Sequence, residues 1–259
     1  MGDSQEAKER NRAIYLAPNL FTTAALFCGF YSVVAAMHGQ FESAATAIFI
    51  AMIFDGFDGR VARLVNCESE FGAQYDSLSD LVAFGIAPAI VALSWSLTSL
   101  GKVGWMAAFI FVVCAALRLA RFNTQVGTVD RNYFVGLASP PAAALIGGMV
   151  WAGTRADING PSVAVLAAFI VAGAGLLMVS NLRYHSFKGW DIKGRVPFVV
   201  FLAIIVGGSI IFINPARILF LCAFVYALSG PVMFLVNRKK ALGTPAGPIE
   251  EDQKQDKDN

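Results

Sequence analysis

Two aspartates, Asp55 and Asp58, share one face of a predicted helix in an otherwise strongly apolar part of the chain. Gly59 and Ala62 continue that face, because residues at i, i+3, i+4 and i+7 lie on the same side of an α-helix. The face therefore offers two carboxylates followed by two very small side chains. Such a surface can bind a ligand through oxygen atoms and still leave room for it.

A second acidic face follows shortly after the first. Gly72, Asp76 and Asp80 recur at every fourth residue, beyond a predicted turn around residues 65–71, so they also share one side of a helix. Two consecutive helices joined by a short turn can run antiparallel. We therefore expect the two acidic faces to meet.

Carboxylates that converge in an apolar segment need compensating charge. An aspartate at the centre of a spanning helix costs roughly 2.5–3.5 kcal/mol, and Arg60 and Arg63 are the only fixed cations within residues 55–80. One or two hard divalent ions, Mg²⁺ or Mn²⁺, would balance the charge with oxygen ligands alone. Mg²⁺ usually completes its shell with water and phosphates, so the pattern favours phosphate chemistry. The alternative is that the aspartates pair with arginines or lie in cytosolic loops.

The elements that must position these residues are membrane helices. Hydrophobic residues make up 56% of the chain and charged residues 15%, and segments 24–36, 105–117 and 198–213 carry no charge. This composition is typical of a polytopic membrane protein. The net charge of +2 is too small to suggest nucleic-acid binding. The four cysteines form no CxxC pair, which argues against a zinc site or a disulfide framework.

The predicted fold is an all-α bundle of about eight transmembrane helices. We expect residues 1–16 to be an N-terminal cytoplasmic, amphipathic segment, 17–237 the transmembrane domain and 238–259 a disordered cytoplasmic tail. The fifth span is short and contains Pro140, Pro141, Gly147 and Gly148, so we expect it to be kinked or to lean into a cavity. From apolar runs of roughly 20 residues, the spans are placed at 17–37, 43–64, 74–97, 103–123, 138–153, 161–182, 196–213 and 216–236.

The distribution of basic residues predicts the orientation. Of the 20 lysines and arginines, 17 fall on the side of the predicted map that holds the N-terminus, and Lys102, Arg155 and Arg217 fall on the other. The positive-inside rule then places both termini, and the acidic faces, towards the cytoplasm.

The acidic segment also carries a specific signature. Residues 55–80 read Asp-x2-Asp-Gly-x2-Ala-Arg-x8-Gly-x3-Asp-x3-Asp, and this pattern resembles that of the CDP-alcohol phosphotransferase family of membrane enzymes. The flanking stretches most resemble bacterial members that use L-serine as the acceptor. The resemblance implies CDP-diacylglycerol as donor, a bacterial inner-membrane location and a homodimer. These stretches are APNLFT at 17–22, YDSLSDLVAFGIAPA at 75–89, LRLARFN at 117–123, YFVGLASP at 133–140 and SNLRYHSFK at 180–188.

The resemblance also implies roles for individual residues. Asp55, Asp58, Asp76 and Asp80 would ligate two Mg²⁺ or Mn²⁺ ions, and Asp80 would act as general base on the acceptor hydroxyl. The residues expected to contact the CDP group are Asn19, Thr22, Gly59, Ala62, Arg63 and Gly72.

A zwitterionic acceptor needs a cation for its carboxylate, and several arginines lie on the predicted cytoplasmic side. Arg121 is the first choice. Arg118, Arg183, Arg195 and Asn123 are further candidates, with Ser139 and Lys188 weaker still. The alternative is that these arginines only determine topology.

Two other functions compete with serine transfer. A sibling enzyme of the same family would use glycerol phosphate, inositol phosphate or choline, and a phosphorylated acceptor would call for a denser basic pocket. A divalent-cation transporter would distribute its acidic residues along a pore, whereas here they gather near one side. The sibling is therefore the stronger alternative.

Overall fold

The described part of the chain is almost entirely helical. The computed structural model describes residues 2–64, 70–125, 133–185 and 213–243. A π-helical turn at Leu81–Ile86 joins α3 to α4, and short 3₁₀ turns lie at Leu97–Leu100 and Gly160–Val163. The α-helices are α1 (Gly2–Met37), α2 (Phe41–Leu64), α3 (Glu70–Asp80), α4 (Ala87–Trp95), α5 (Lys102–Gln125), α6 (Ser139–Arg155), α7 (Ala164–Val179) and α8 (Pro215–Gly243).

Long apolar stretches of these helices identify an integral membrane protein. Within the described residues, five helical stretches are long and apolar enough to cross a bilayer, and they match five of the spans predicted from the sequence. They are Asn19–Met37, Glu70–Trp95, Lys102–Thr124, Gly160–Val179 and Pro215–Phe234.

The remaining predicted spans stay predictions. The span at 43–64 coincides with α2, which carries two aspartates and two arginines, and the span at 138–153 coincides with α6, which has only 17 residues. The span at 196–213 lies, apart from its last residue, outside the described residues. The total of eight spans and the side on which the termini lie also stay predictions.

The first helix is longer than its membrane span. α1 runs for 36 residues without interruption, which corresponds to about 54 Å at 1.5 Å per residue. The predicted boundary between residues 16 and 17 therefore falls inside a continuous helix. Its apolar part, Asn19–Met37, is the part that packs into the bundle.

Small residues let the helices of the bundle approach closely. α1 packs along α2, α2 also contacts α6, α5 packs on α7, and α6 packs on α8. A Cβ added at Gly29 of α1 would lie 2.7 Å from the Cα of Ala83, and one added at Gly148 of α6 would lie 2.9 Å from the Cα of Phe220 in α8. Close packing of this kind stabilises helix pairs in lipid, where burial from water adds little.

The described residues also contain a short ribbon that sequence analysis did not predict. Strand β1 (Tyr133–Val135) pairs antiparallel with β2 (Arg183–His185). Gly136 follows β1 with a φ of 82°, a left-handed conformation that favours glycine. Its N–H donates to the carbonyl of Leu182 at 2.8 Å. The ribbon thereby ties the start of α6 to the end of α7.

The two prolines of α6 lie in its first turn. Ala138 precedes the helix in an extended conformation, and Pro140 and Pro141 follow Ser139. A proline in the first turn loses no intrahelical hydrogen bond, because the N–H groups there have no partner within the helix. These prolines therefore mark the beginning of α6 and do not interrupt its interior. A kink in this span, or its leaning into a cavity, stays a prediction.

Candidate metal centre

The two predicted acidic faces meet. Asp55 of α2 and Asp76 and Asp80 of α3 each offer a carboxylate oxygen, and these oxygens lie within 4.8 Å of one another. All three side chains are half-buried. Asp55 and Asp80 are close enough for a hydrogen bond between their carboxyl groups. Three of the four predicted ligands therefore form one compact group of oxygens.

Asp58 has a different environment. It is 6% exposed, and its Oδ2 accepts a hydrogen bond from the Thr22 hydroxyl of α1 at 3.0 Å. It is not part of the three-carboxylate group, although its charge acts on both Asp55 and Asp76. The structure therefore places Asp58 beside the group and holds it towards α1.

None of these carboxylates forms an ion pair in the part of the chain that the structure describes. The single ion pair there joins Arg155 to Glu42, at the opposite end of α2. Arg60 is exposed. Half-buried carboxylates that repel one another must either take up protons or bind a cation.

The geometry of the group suits a hard divalent ion. Oxygen ligands lie about 2.0–2.6 Å from Mg²⁺ or Ca²⁺, so two ligands of one ion are at most about 5 Å apart. The oxygens of Asp55, Asp76 and Asp80 satisfy that limit. A donor set made only of carboxylates also favours Mg²⁺ or Mn²⁺ over softer metals. The residues therefore fit the ion that the sequence predicts.

A helical irregularity follows the last ligand directly. Asp80 ends α3, and Leu81–Ile86 then form one wide π-helical turn before α4 begins. Such turns are frequent at functional sites, since they change the direction in which neighbouring side chains project. The buried Ala83 of this turn lies against Gly29 of α1. Close packing thus accompanies the change in helix geometry beside Asp80.

The start of the first membrane span borders the aspartates. Asn19 is half-buried, Thr22 contacts Asp58, Gly59 is exposed and Gly72 is half-buried. Each of these predicted nucleotide contacts thus lies on α1, α2 or α3, the helices that carry or border the aspartates. Ala62 and Arg63 fall within α2, and their side chains lie outside the described residues.

Two further polar residues of this region were not predicted. The Thr23 hydroxyl lies 2.9 Å from the Tyr75 hydroxyl and donates to the carbonyl of Asn19 at 2.7 Å. Tyr75 stacks on Phe71, with ring centroids 6.1 Å apart. These contacts attach α3 to the start of the membrane span of α1. Tyr75 begins the stretch at 75–89 that resembles the family and immediately precedes Asp76, whereas Thr23 had no signal in the sequence.

Arg118, one of the predicted acceptor-binding cations, lies on α5. Its Nε donates to the carbonyl of Leu137 at 2.5 Å. Both Asp80 and Tyr226 of α8 are within electrostatic range of its guanidinium. The hydrogen bond to Leu137 thus links α5 to the segment that leads into α6.

Of the other predicted acceptor contacts, Arg121 and Asn123 have protein partners. The Ser139 hydroxyl is buried and has no hydrogen-bond partner among the described residues. Arg121 Nη1 donates to Asn181 Oδ1 at 3.1 Å. Asn123 Nδ2 donates to the Ser77 hydroxyl at 3.0 Å. The side chain of Arg183, on β2, and the whole of Arg195 lie outside the described residues.

Comparison with known proteins agrees with this geometry. The family model for CDP-alcohol phosphatidyltransferase matches residues 15–179. The chain belongs to this family. The match includes all three aspartates of the acidic group and confirms the resemblance seen in the sequence.

Curated relatives extend the similarity beyond the segment shared by the CDP-alcohol phosphatidyltransferase family. A protein of Helicobacter pylori named CDP-diacylglycerol–serine O-phosphatidyltransferase is 37% identical over 225 residues, which cover 86% of this chain and 92% of the relative. Proteins with the same name are 35% identical in Methanocaldococcus jannaschii, over 73% of this chain and 82% of the relative, and 32% identical in Bacillus subtilis, over 66% and 90%.

Beyond the family segment, two tyrosines connect the ribbon to α8. The Tyr184 side chain is buried, and its hydroxyl donates to the carbonyl of Ala227 at 3.1 Å. Burial, together with the neighbouring Tyr226 phenol, raises the pKa of Tyr184 to about 12. The rings of Tyr184 and Tyr226 lie 5.6 Å apart. Tyr184 belongs to the stretch at 180–188 that already resembled this family, whereas Tyr226 had no signal in the sequence.

Proposed function

We propose that this protein transfers the phosphatidyl group of CDP-diacylglycerol to the hydroxyl of L-serine, giving phosphatidylserine and CMP. The observation that carries the proposal is the meeting of Asp55, Asp76 and Asp80 within 4.8 Å, in a chain of the CDP-alcohol phosphatidyltransferase family. The serine-specific names of its relatives support the choice of acceptor.

The four aspartates would hold the metal. Asp55, Asp76 and Asp80 supply the compact oxygen group, and Asp58, oriented by the Thr22 hydroxyl, completes a set for two Mg²⁺ or Mn²⁺ ions. Bound divalent ions would offset the negative charge of the pyrophosphate and of the departing CMP. Without them the carboxylates would repel the donor.

Asp80 is the proposed general base. It takes the proton of the serine hydroxyl while the hydroxyl oxygen bonds to the phosphorus that bears diacylglycerol, and the bond from that phosphorus to the CMP oxygen breaks. CMP leaves with the bonding electron pair, so no covalent protein intermediate is needed. Its place at the end of α3, among the three carboxylates that lie within 4.8 Å of one another, supports this role.

The CDP group would lie against the start of the first membrane span. Small side chains leave space on the carboxylate faces, and the polar side chains of α1 lie beside them. Arg63 would pair with a phosphate. The proposed contacts are Asn19, Thr22, Gly59, Ala62, Arg63 and Gly72.

The wider setting follows from the sequence. We place the transmembrane catalytic domain at 17–237, between an N-terminal cytoplasmic segment and a cytoplasmic tail, in the inner membrane of a bacterium and as a homodimer. The basic residues on the predicted cytoplasmic side support a site that opens to the cytoplasm. Water-soluble serine and CMP would then reach the site without crossing the membrane.

The direct test is CMP release by the purified full chain with CDP-diacylglycerol. Serine, glycerol phosphate, inositol phosphate and choline are offered in turn, each with Mg²⁺ or Mn²⁺ or with chelator. We expect release with serine and a divalent ion, and none with chelator. Release with another alcohol but not with serine would make the protein a sibling enzyme of the family.

A further inference from the structure

Two buried serine hydroxyls have no hydrogen-bond partner within the described residues, those of Ser79 and Ser139. A buried hydroxyl that forms no hydrogen bond costs free energy, so such groups are rare and need an explanation. Ser79 lies four residues from both Tyr75 and Ala83, on one side of its helix, and both of these contact α1. It is therefore turned towards α1. Ser139 is the first residue of α6 and is only 1% exposed.

Contacts between α6 and α2 fix the depth of Ser139 in the bundle. The two helices run antiparallel, because the ion pair at the start of α2 involves the last residue of α6. A Cβ added at Gly147 would lie 3.4 Å from Cδ1 of Ile48 in α2. Ser139 lies eight residues before Gly147, and Asp55 lies seven residues after Ile48. Ser139 and Asp55 therefore lie within about one helical turn of the same depth.

Contacts between α6 and α4 lead to the same depth. The contacts of α1 place α3 and the turn after it parallel to α1 and α2 antiparallel to it, so α6 is parallel to the segment from α3 to α4. A Cβ added at Gly153 would lie 2.5 Å from Cζ2 of Trp95. Ser139 lies 14 residues before Gly153, and Leu81, next to Asp80, lies 14 residues before Trp95. Ser139 and Asp80 are therefore also within about one turn of the same depth.

The face of α6 that carries Ser139 lies between α2 and α4. With 3.6 residues per turn, successive residues are displaced by about 100° around the helix axis. Ser139 is then about 80° from Gly147, which faces α2, and about 40° from Gly153, which faces α4, on the arc between them. It is opposite Gly148, which packs against α8. Other residues of this arc are fully buried, namely Ala143, Ile146 and Val150.

Ser139 thus begins the buried side of α6 that faces Asp55 and Asp80. α6 contacts both α2 and the π-helical turn that follows Asp80, yet the Ser139 hydroxyl forms no hydrogen bond with a carboxylate. The axes of packed helices lie about 8–10 Å apart, so a molecule of a few atoms can lie between the hydroxyl and the carboxylates. The acceptor belongs in this place, because its own hydroxyl has to reach Asp80.

The start of α6 is suited to a negatively charged group. The N-terminus of a helix carries a positive partial charge and N–H groups that have no partner in the helix. No side chain caps this start, and Pro140 and Pro141 have no N–H, so the first three residues offer the N–H and the hydroxyl of Ser139 as donors. A positive charge lies nearby, because Arg118 Nε donates to the carbonyl of Leu137 at 2.5 Å.

A serine molecule in this place has one favourable orientation. Its hydroxyl must reach Asp80, and its carboxylate lies a few bonds away. The carboxylate is repelled by the aspartates and attracted by the start of α6, whereas the ammonium group has the opposite preference. The carboxylate of the acceptor should therefore lie on the side of Ser139.

We propose that the start of α6 binds the carboxylate of the amino-acid acceptor, through the hydroxyl and the N–H of Ser139. This rests on the proposed function, since it assumes transfer to serine. Ser139 is thus a substrate-binding residue, and it favours acceptors that carry a carboxylate.

The experiment compares two acceptors on the purified full chain. Removal of a hydroxyl that binds a charged group should raise the KM for serine in Ser139→Ala by about tenfold or more. The kcat and the KM for CDP-diacylglycerol should stay within about twofold of the unaltered protein. Ethanolamine keeps the hydroxyl and the amine of serine but lacks the carboxylate. The kcat/KM for serine, divided by that for ethanolamine, should therefore fall by about tenfold in Ser139→Ala.

Thermal stability separates ligand binding from a structural role. Since the Ser139 hydroxyl has no partner within the described residues, Ser139→Ala should leave the apparent Tm of the substrate-free protein unchanged or raise it. Ser32→Ala is the matched control, because the Ser32 hydroxyl is equally buried but donates to the carbonyl of Ala44 at 2.7 Å. The control should lower the Tm and leave the KM for serine within about twofold.

Other outcomes separate the two proposals. If the unaltered protein released no CMP with serine, the proposed function itself would fail. If it used serine, but Ser139→Ala left the serine KM within twofold or weakened the use of serine and ethanolamine equally, the inference alone would be overturned. A Tm loss in Ser139→Ala as large as that in Ser32→Ala would assign the hydroxyl a structural role and overturn it as well. Should Ser139→Ala not fold, Ser139→Cys has a similar size but donates only weakly, and an unchanged serine KM there would equally overturn the inference.

Discussion

The acidic residues at the two ends of α2 lie in opposite electrostatic environments. Near its start, Glu42 Oε1 lies 2.6 Å from Arg155 Nη2 of α6 and accepts a hydrogen bond from Trp151 Nε1 at 3.1 Å. The guanidinium of Arg155 also lies 5.6 Å from the Trp151 ring centroid. These hydrogen bonds, and the charge of Arg155, lower the pKa of Glu42. At this end of α2, the negative charge of Glu42 is balanced by a residue of the protein itself.

At the other end of α2, the negative charge of the aspartates is not balanced by an ion pair within the described residues. Asp55 meets Asp76 and Asp80, and none of these carboxylates forms an ion pair within the described residues. A carboxylate in an ion pair links two helices. A group of carboxylates without ion pairs leaves negative charge that a bound cation can balance. Burial alone therefore does not identify the functional end of α2. Several neighbouring carboxylates that form no ion pair within the described residues do.

The largest expected effect comes from the end of α2 where Asp55 meets Asp76 and Asp80. Asp80→Asn keeps the size of the side chain but removes the base and a metal ligand. We expect CMP release to fall by about 10³-fold, while CDP-diacylglycerol binding to the purified protein is largely retained. Glu42→Gln is the control and should keep nearly full turnover. Turnover of Asp80→Asn within tenfold of the unaltered protein would remove Asp80 from the role of base.

A smaller effect is expected from the contact that orients Asp58. Thr22→Val removes the hydroxyl that donates to Asp58 at 3.0 Å. Loss of a group that orients a ligand typically weakens metal affinity by about 10- to 100-fold, so half-maximal CMP release should need at least about tenfold more Mn²⁺. Thr46→Val is the control, because the Thr46 hydroxyl bonds only to the carbonyl of Glu42 in its own helix. An equal metal requirement in both variants would contradict a role for Asp58 at the site.

The smallest effect is expected at the start of α2, where Glu42 pairs with Arg155, and it should change stability alone. The Arg155 and Glu42 side chains are 44% and 46% exposed, so Glu42→Gln should cost only about 0.5–1 kcal/mol. An apparent Tm lower by about 1–4 °C, with unchanged kcat, is the expected result. A large loss of activity in this variant would remove the distinction between the two ends.

The pH dependence of that stability has a definite sign. The folded pKa of Glu42 lies below its ordinary value of 4.5, so the native state favours the charged form. Its stabilising contribution is fully present above the unfolded pKa and is lost as the pH falls through the folded one. The Tm difference between Glu42→Gln and the unaltered protein should therefore be fully present at pH 7, begin to shrink below about pH 4.5 and disappear once the pH is below the lower folded pKa. A difference that grows on acidification would contradict this.

Residue spacing was sufficient to predict the two acidic faces. Residues four apart in a helix share a side whatever surrounds them, so Asp76 and Asp80 had to project together. Long apolar runs also predicted five membrane stretches to within a few residues, because lipid permits few alternatives to a helix. These features depend only on local geometry and on the bilayer.

Other features depend on tertiary contacts that spacing does not contain. The turn of Asp58 towards Thr22 requires α1 to lie beside α2. The π-helical turn after Asp80 packs against Gly29, more than fifty residues earlier in the chain. Strands of three residues give no detectable alternation, so the ribbon that fixes Tyr184 could not be predicted. Tyr226 lies in an apolar helix, where one tyrosine has no distinguishing pattern.

The most direct test of the central claim is a Mn²⁺ titration of the purified protein, followed by the loss of the free-ion signal in electron paramagnetic resonance. We expect saturable binding by the unaltered protein and by Glu42→Gln, and binding weakened by at least about tenfold in Asp76→Asn. Failure of the unaltered protein to bind Mn²⁺, or equal binding by Asp76→Asn, would show that the three carboxylates do not form a metal site.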